Sequence, residues 1–314
     1  VSDVRSSRVL VVGSANVDFT VAVPRLPRPG ETVTGGTLLV NHGGKGANQA
    51  VAARRLGADV RLIASVGDDG SGREIRAALA AEGIGVDGVG TTGEAATGTA
   101  LIVVDDEGRN QIAVAPGANW RLSTEHVRSR DRDFAWAQVV MCQLETPPET
   151  LAWTLAEARR RGIVTVLNPA PVREGLPDVW PLVDYLTPNE GEAERLTGVP
   201  VRDPRSAAVA ARVLRGRGVG TVVVTLGAQG ALGCTARGEI HAPARSVSVV
   251  DTTAAGDAFN GALAVSLGGG ETLEDALRFA NAAAGIACTR RGAQPSLPTR
   301  AEVERLLGAS LEAG

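Results

Sequence analysis

The sequence predicts an α/β protein: a doubly wound, mostly parallel sheet flanked by helices, with a small β-sheet lid. Three observations predict it. Short β-branched runs such as Val9–Gly13 and Thr221–Thr225 alternate with helical segments, several ending at glycine. These runs are nearly continuous in β-branched residues, as strands buried on both faces are. Two amphipathic strand pairs, within residues 17–41 and 97–115, break the alternation and read as a separate sheet over a cleft.

Val9–Gly13 (VLVVG) is the first buried strand. Val17–Val23 and Glu31–Val40 follow as strands, the second alternating apolar with small or polar residues as a half-exposed sheet does. Gly43–Asn48 reads as a glycine loop opening into an Ala/Arg-rich helix, Gln49–Leu56. Strand Val60–Val66 leads through Gly67–Gly72 into helix Arg73–Glu82, stopped by Gly83. Thr97–Val104 and Asn110–Val114 form a hairpin about Asp105–Arg109. Then come strand Ala137–Leu144, helix Pro148–Arg161, strands Val164–Leu167 and Tyr185–Thr187, and helix Glu190–Thr197. Helix Pro204–Arg215 and strand Thr221–Thr225 precede a hairpin of Ala231–Cys234 with Glu239–His241. Helices Ala258–Leu267, Leu273–Cys288 and Thr299–Leu307 close the chain. The expected division is an α/β domain from residues 1–16, 42–96 and 116–314, and a lid from 17–41 and 97–115.

The chain has 314 residues, is 44% apolar and carries a formal charge of −3. That length suits one large α/β domain with a small attachment and a generous core. Mild acidity argues against a nucleic-acid or membrane surface, which would present a basic face. No apolar run reaches the roughly 18 residues of a membrane span. The polar start, Val1–Arg8, runs straight into a strand, so no signal peptide is expected. Cys142, Cys234 and Cys288 are too few and too scattered for a disulfide framework or a CxxC site, and suit a reducing cytoplasm. His42, His126 and His241 show no metal-ligand spacing, so zinc is not expected and a general base falls to a carboxylate. Lys45 is the only lysine, and it lies in a glycine-rich loop.

Two common phosphate motifs are absent. Gly13-Ser14-Ala15-Asn16 lacks GxGxxG, and Gly43-Gly44-Lys45-Gly46 is not GxxxxGK[ST]. The informative segment is Asp251–Asn260 (DTTAAGDAFN). Small residues Ala254, Ala255 and Gly256 lead into a helix start, whose free N–H groups and dipole favour a phosphate. Asp257 fits there as an ordinary cap or as the base for a hydroxyl.

This segment resembles the second signature of the ribokinase-type carbohydrate kinase family, and Gly43–Asn48 (GGKGAN) followed by Gln49 resembles its first. Gly67-Asp68-Asp69, Asn168–Pro171, Thr187–Glu192 and Thr225–Gly230 agree, so the resemblance covers essentially the whole chain. Lys45 with Ala47-Asn48-Gln49, Asn16-Val17-Asp18, Pro29–Thr32, Gln143–Glu145 and Arg291–Pro295 resemble the ribose-phosphorylating members in particular.

The resemblance implies that Asn16, Asp18, Gly44, Lys45, Gly46, Ala47, Asn48, Glu145 and Asp257 hold the sugar. Carboxylates and amides suit hydroxyls, which both donate and accept. By residue type alone, Asn16 and Asp18 also suit a turn, and Glu145 an acid leading a helix. The resemblance further implies ATP at Asn189, Thr225, Leu226, Gly227, Ala228, Gln229, Gly230, Gly256, Asp257 and Asn281. It implies Mg²⁺ near Glu192 through water, and K⁺ at Asp251, Thr253, Ala287, Arg290, Gly292 and Ser296. Asn281 departs from the histidine familiar there in some members. Ala254 replaces a common glycine, and is expected to have negative φ.

The implied reaction is transfer of the ATP γ-phosphoryl group to the 5-hydroxyl of D-ribose. Asp257 takes the proton and the amides of Ala254–Asp257 stabilise the phosphoryl charge. A helix start is expected to lower the pKa of Asp257. The resemblance also implies a homodimer joined through the lid. A kinase for 2-deoxyribose, another sugar or a nucleoside stays open, as does a sugar-binding regulator without catalysis.

Overall fold

The structure, a computed structural model, describes residues 6–107 and 109–308. The reading of Val1–Arg8 thus falls largely outside the described residues, as does Gly108 in the hairpin turn. In chain order the strands are β1 (Arg8–Val12), β2 (Asn16–Val23), β3 (Thr37–Gly43), β4 (Asp59–Gly67), β5 (Gly85–Thr92), β6 (Gly98–Asp105) and β7 (Asn110–Ala115). They continue as β8 (Val139–Cys142), β9 (Val164–Leu167), β10 (Tyr185–Leu186), β11 (Thr221–Thr225), β12 (Ala231–Thr235) and β13 (Gly238–Ala242). The helices are α1 (Lys45–Arg55), α2 (Gly70–Ala81), α3 (Thr124–Arg128), α4 (Asp131–Trp136), α5 (Pro148–Arg160), α6 (Glu190–Thr197), α7 (Pro204–Gly216), α8 (Ala255–Gly268), α9 (Leu273–Ala287) and α10 (Arg300–Gly308).

The large sheet runs β13-β12-β11-β10-β9-β8-β1-β4-β5. It is parallel from β5 to β11, and β12 and β13 join as an antiparallel edge hairpin. Alternate residues of β1 feed two cores, because successive side chains point to opposite faces. Val9 and Val11 pack in one core with α1, α8 and α9. Leu10 and Val12 pack in the other with α5 and α7. The chain leaves β1 for β4 on one side and returns to β8 on the other, so the strand order reverses at β1. Ligands of such sheets bind at the carboxyl ends of the strands beside this reversal.

Helix α1 meets α8 closely because Gly261 has no side chain. A β-carbon there would stand 2.6 Å from that of Ala52 and 2.9 Å from the Ala53 amide. This contact sets the start of α1, with Asn48 closing its first turn and Gln49 opening its second, beside the first turn of α8.

The second sheet is four-stranded, in the order β3-β2-β6-β7. Strands β2 and β6 are parallel and the outer pairings antiparallel. Asp69 anchors its entry: one carboxylate oxygen caps α2 at Gly72 N (2.7 Å), and the carboxylate also accepts from Thr97 N (2.8 Å) and Thr97 Oγ1 (2.7 Å).

Several boundaries differ from expectation. The strand expected over Glu31–Val40 begins only at Thr37 and runs on to Gly43. The loop expected over Gly43–Asn48 is largely helix, since α1 starts at Lys45 and Gly44 is its cap. Strand β5 (GVDGVGTT) carries no β pattern in its sequence; parallel pairing with β4 creates it. Ala254 has φ 59°, against the expected negative value, and is the one non-glycine with positive φ among the described residues.

Candidate active site

The site gathers at the carboxyl ends of the central strands. β1 leads to Ser14, β2 opens with Asn16, β8 leads to Gln143 and Glu145, β9 to Asn168, and β10 to Thr187 and Asn189. The first turns of α1 and α8 face these ends. Glycines at 43, 44 and 46 are required by crowding. A β-carbon at Gly44, where φ is 86°, would lie 2.8 Å from the Asn16 amide, and one at Gly46 would lie 2.5 Å from the Ser14 amide.

Bonds between distant segments hold the residues expected to bind sugar in place. Asn16 is buried; its Oδ1 accepts from Asn119 Nδ2 at 2.7 Å, and Asn119 Oδ1 accepts from Ala15 N at 2.9 Å. Glu145 accepts from the Ser14 hydroxyl and from Lys45 N, the latter at 3.0 Å. Gly46 N donates to Ser14 Oγ at 3.2 Å and Ala47 N to the Ser14 carbonyl at 2.8 Å. Gly46 and Ala47 therefore brace the turn. Asn119 and Ser14 were not among the sequence-predicted site residues, since bonds spanning about a hundred residues leave no local pattern.

Asp257 is buried in the first turn of α8. Its Oδ2 accepts from Asn48 Nδ2 at 3.0 Å, and its Oδ1 from Gln49 Nε2 at 3.0 Å. Asn48 Oδ1 is buried and unpartnered. Burial raises the Asp257 pKa most; Lys45 and the amides of Asn48 and Gln49 pull it back, and Glu145 pushes it up. The net direction is upward, so desolvation outweighs the helix start, whose expected effect was the opposite. Asp18 is pushed up to about 6 by burial, then by Glu145 and Asp257. Lys45 has its pKa raised: burial opposes its charge, but Asp257, Glu145 and Glu192 outweigh it. One ammonium thus sits within a field of carboxylates.

Only part of the expected oxyanion cradle is free. The Ala255 N–H turns back to the Thr252 carbonyl at 3.2 Å, and Ala254 precedes the helix in the left-handed region. The amides of Gly256 and Asp257 remain as the open first turn.

Of the residues expected near the nucleotide, Asn189 forms a capping box with Glu192 at α6: Glu192 N donates to Asn189 Oδ1 (2.8 Å) and Asn189 N to Glu192 Oε2 (2.9 Å). Burial first of all raises the pKa of Glu192. Thr225 N bonds the Pro188 carbonyl at 3.0 Å, and Leu226 N closes a turn onto the Gly230 carbonyl at 2.7 Å, with Gly227, Ala228 and Gln229 between. Asn281 is buried and gives its amide to the Ala242 carbonyl at 2.8 Å, which makes it a pin for β13.

In the expected cation loops, Asp251 accepts from Thr253 N (2.9 Å), Thr253 Oγ1 (2.6 Å) and Gly292 N (2.9 Å). Burial opposes ionisation of Asp251, but these bonds, the Thr253 hydroxyl first, hold its pKa below the ordinary value. The Asp251 N–H reaches the Cys288 carbonyl at 3.2 Å, and Arg290 N the Ala287 carbonyl at 3.2 Å. The Arg290 side chain pairs with Glu302, and the buried Ser296 hydroxyl donates to the Ala293 carbonyl at 2.8 Å. Among the described residues no group of three or more His, Cys, Asp or Glu is placed to hold a metal ion.

A buried carboxylate at an open helix start, ringed by sugar-type acceptors at the strand reversal, defines a carbohydrate kinase. The chain belongs to the pfkB family of carbohydrate kinases, whose family model matches residues 6–300. It is 42% identical to a ribokinase of Haemophilus influenzae, covering 95% of this chain and 97% of that one. It is 36% identical to a deoxyribokinase of Salmonella typhi, covering 93% and 95%. It is similar, with a TM-score of 0.89, to the structure of Arabidopsis thaliana ribokinase complexed with ribose and ATP, at 32% identity, covering 96% and 99%.

Proposed function

We propose that the chain is an ATP-dependent sugar kinase that phosphorylates the 5-hydroxyl of D-ribose, giving ribose 5-phosphate and ADP. The observation that carries this reading is the placement of Asp257. It is buried at a helix start, each oxygen is held by an amide, and Lys45 and Glu145 interact with it electrostatically. The similarity to ribokinases supports the sugar.

Asn16, Asp18, Gly44, Lys45, Asn48 and Glu145 bind and orient the sugar. Buried Asn48 Oδ1 has no partner and suits a hydroxyl donor. Asp257 accepts the proton of the attacking hydroxyl, and its raised pKa favours that task. The Gly256 and Asp257 amides receive the charge of the transferring phosphoryl group, so catalysis is mainly positioning and electrostatic stabilisation. Thr225–Gly230 and Asn189 flank the nucleotide, with Asn281 supporting the floor behind it.

The residues fit both implied cations. Glu192 uses one carboxylate oxygen for its cap, which leaves the other for a magnesium-bound water; the ion would neutralise phosphate charge. Asp251, ionised and set among the backbone of residues 251–253 and 287–292, suits K⁺, which would order the loop before α8.

Strands β2, β3, β6 and β7 act as a lid and as the contact between two subunits. Their pairing sets Val40, Phe19 and Leu101 in one row and Leu38, Val21 and Val103 in the next. Leu38, Val40 and Leu101 are 57%, 53% and 58% exposed, an apolar face suited to burial against a second copy. The enzyme would work in the cytoplasm, in keeping with three free cysteines. No helix among the described residues is long and apolar enough to cross a membrane.

A second reading is a preference for 2-deoxyribose, favoured by the 36% identity to a deoxyribokinase. The test is kcat/KM by ADP release across ribose, 2-deoxyribose, fructose and adenosine. Ribose is expected first, 2-deoxyribose second and adenosine hardly at all, because a site built for hydroxyls is left unpaired without them. Fructose or adenosine ahead of ribose by about tenfold, about 1.4 kcal/mol, would overturn the assignment.

A further inference from the structure

We infer that Gln49 is a positioning residue for phosphoryl transfer, holding the carboxylate of Asp257 through a closed ring of buried polar groups. The inference rests on the reading of Asp257 as the base.

Gln49 is fully buried in the second turn of an alanine-rich helix. A side chain of that polarity has no packing reason to be there, and is costly unless bonded. Every amide position of it is bonded. Nε2 donates to Asp257 Oδ1 at 3.0 Å and to Asn168 Oδ1 at 3.2 Å, and Oε1 accepts from Gln143 Nε2 at 2.6 Å. The amide orientation is thereby fixed: turned over, its oxygen would face two acceptors.

The bonds go further than one contact. Asn168 Nδ2 donates to the Thr187 carbonyl at 3.1 Å, Thr187 Oγ1 donates to Asn260 Oδ1 at 2.6 Å, and Asn260 Nδ2 donates to the Gly256 carbonyl at 2.8 Å. Gly256 is joined covalently to Asp257. The path from the Asp257 carboxylate through Gln49, Asn168, Thr187 and Asn260 therefore returns to the Asp257 backbone. One network fixes both the side chain and the peptide that carries it. It spans α1, the ends of β9 and β10, and α8, so the base is aligned to the sheet as well as to its own helix. All three hydrogen-bonding positions of the Gln49 amide are paired, and only Gln143 Oε1, at the edge of the network, lacks a partner; a buried network so paired at its centre specifies one geometry there.

The charged groups acting on Asp257 are Lys45 on α1 and Glu145 after β8; Asp18 on β2 and Glu192 on α6 also interact with it. Gln49 is neutral, and its donation favours the ionised form of Asp257. Removing that donor raises the pKa of Asp257 and moves the acid limb of the kcat–pH profile upward.

The test uses Gln49→Met, of similar volume, Gln49→Glu, of the same shape, and Asp257→Asn as reference. Gln49→Met should lose up to about a hundredfold in kcat, the scale of a misplaced reacting group. KM for ribose and ATP should change little, and the acid limb should move to higher pH. Gln49→Glu should be active mainly at low pH, where a neutral Glu still donates, and fall as ionisation sets a second carboxylate against Asp257. A wild-type-shaped profile in Gln49→Glu, or in folded Gln49→Met, overturns the inference, as does failure of both variants to fold, which would mark Gln49 as a packing residue only. Near-normal turnover in Asp257→Asn would instead overturn the base itself, whatever the Gln49 variants do.

Discussion

Asp18 fills the space that a side chain at Gly43 would need: a β-carbon there would stand 2.0 Å from Asp18 Oδ2. The two lie on adjacent strands of the small sheet, where Asp18 pairs with Asn41 and Gly43 with Asn16. The glycine leaves room for an acid of the proposed sugar site. Gly43→Ala should therefore raise KM for ribose by about tenfold or more with little change in KM for ATP, measured by steady-state kinetics.

The same carboxylate should make sugar binding pH-dependent. Its pKa of about 6 in the folded chain exceeds the ordinary 3.8. The stability linked to Asp18 is then intact below about pH 3.8 and lost as pH rises through about 6. A sugar that donates to the ionised group restores it, so ribose should protect more at pH 7 than at pH 5. Thermal melts with and without ribose check this, and Asp18→Asn should flatten the difference.

Asp257→Asn should keep binding of ribose and ATP, measured by calorimetry, and lose at least about a hundredfold in kcat, the scale of a lost general base.

Potassium should raise activity far more than sodium at matched ionic strength. Asp251 gathers Thr253 and Gly292 without reaching the sugar residues, so the effect should appear in kcat more than in KM for ribose. Asp251→Asn should remove the difference between the salts.

The exposed apolar face of the small sheet gives a test of assembly. Leu38→Glu combined with Leu101→Glu should shift the mass in light scattering from dimer to monomer; a monomeric parent protein would count against the lid contact.

The alternation of apolar runs and helices was legible because burial on both faces writes itself into consecutive residues, and helices α5, α6 and α7 lie within a residue of where the sequence put them. Strand β5 was not legible, since its glycines are tolerated only through pairing with β4. The small second sheet was legible from its broken alternation, yet only part of Glu31–Val40 pairs, because β2 offers partners from Thr37 onward. The two signature segments marked Lys45, Asn48 and Asp257. They did not mark Gln49, Asn119 or Ser14 as parts of the site, whose partners lie 208, 103 and 131 residues away. Ala254 misled because local conformational preference argued against a left-handed alanine, and the loop around it overrides that preference.

Lys45 is the only lysine of the chain, and it lies inside the candidate sugar pocket. Amine-selective acylation consequently has a single side-chain target here, and ribose in the pocket should shield it. Arginine side chains do not take such reagents, and the carboxylates that hold Lys45 as an ammonium confine its labelling to alkaline pH, so the modified lysine, read by peptide mass, reports pocket occupancy without a reporter having to be engineered in.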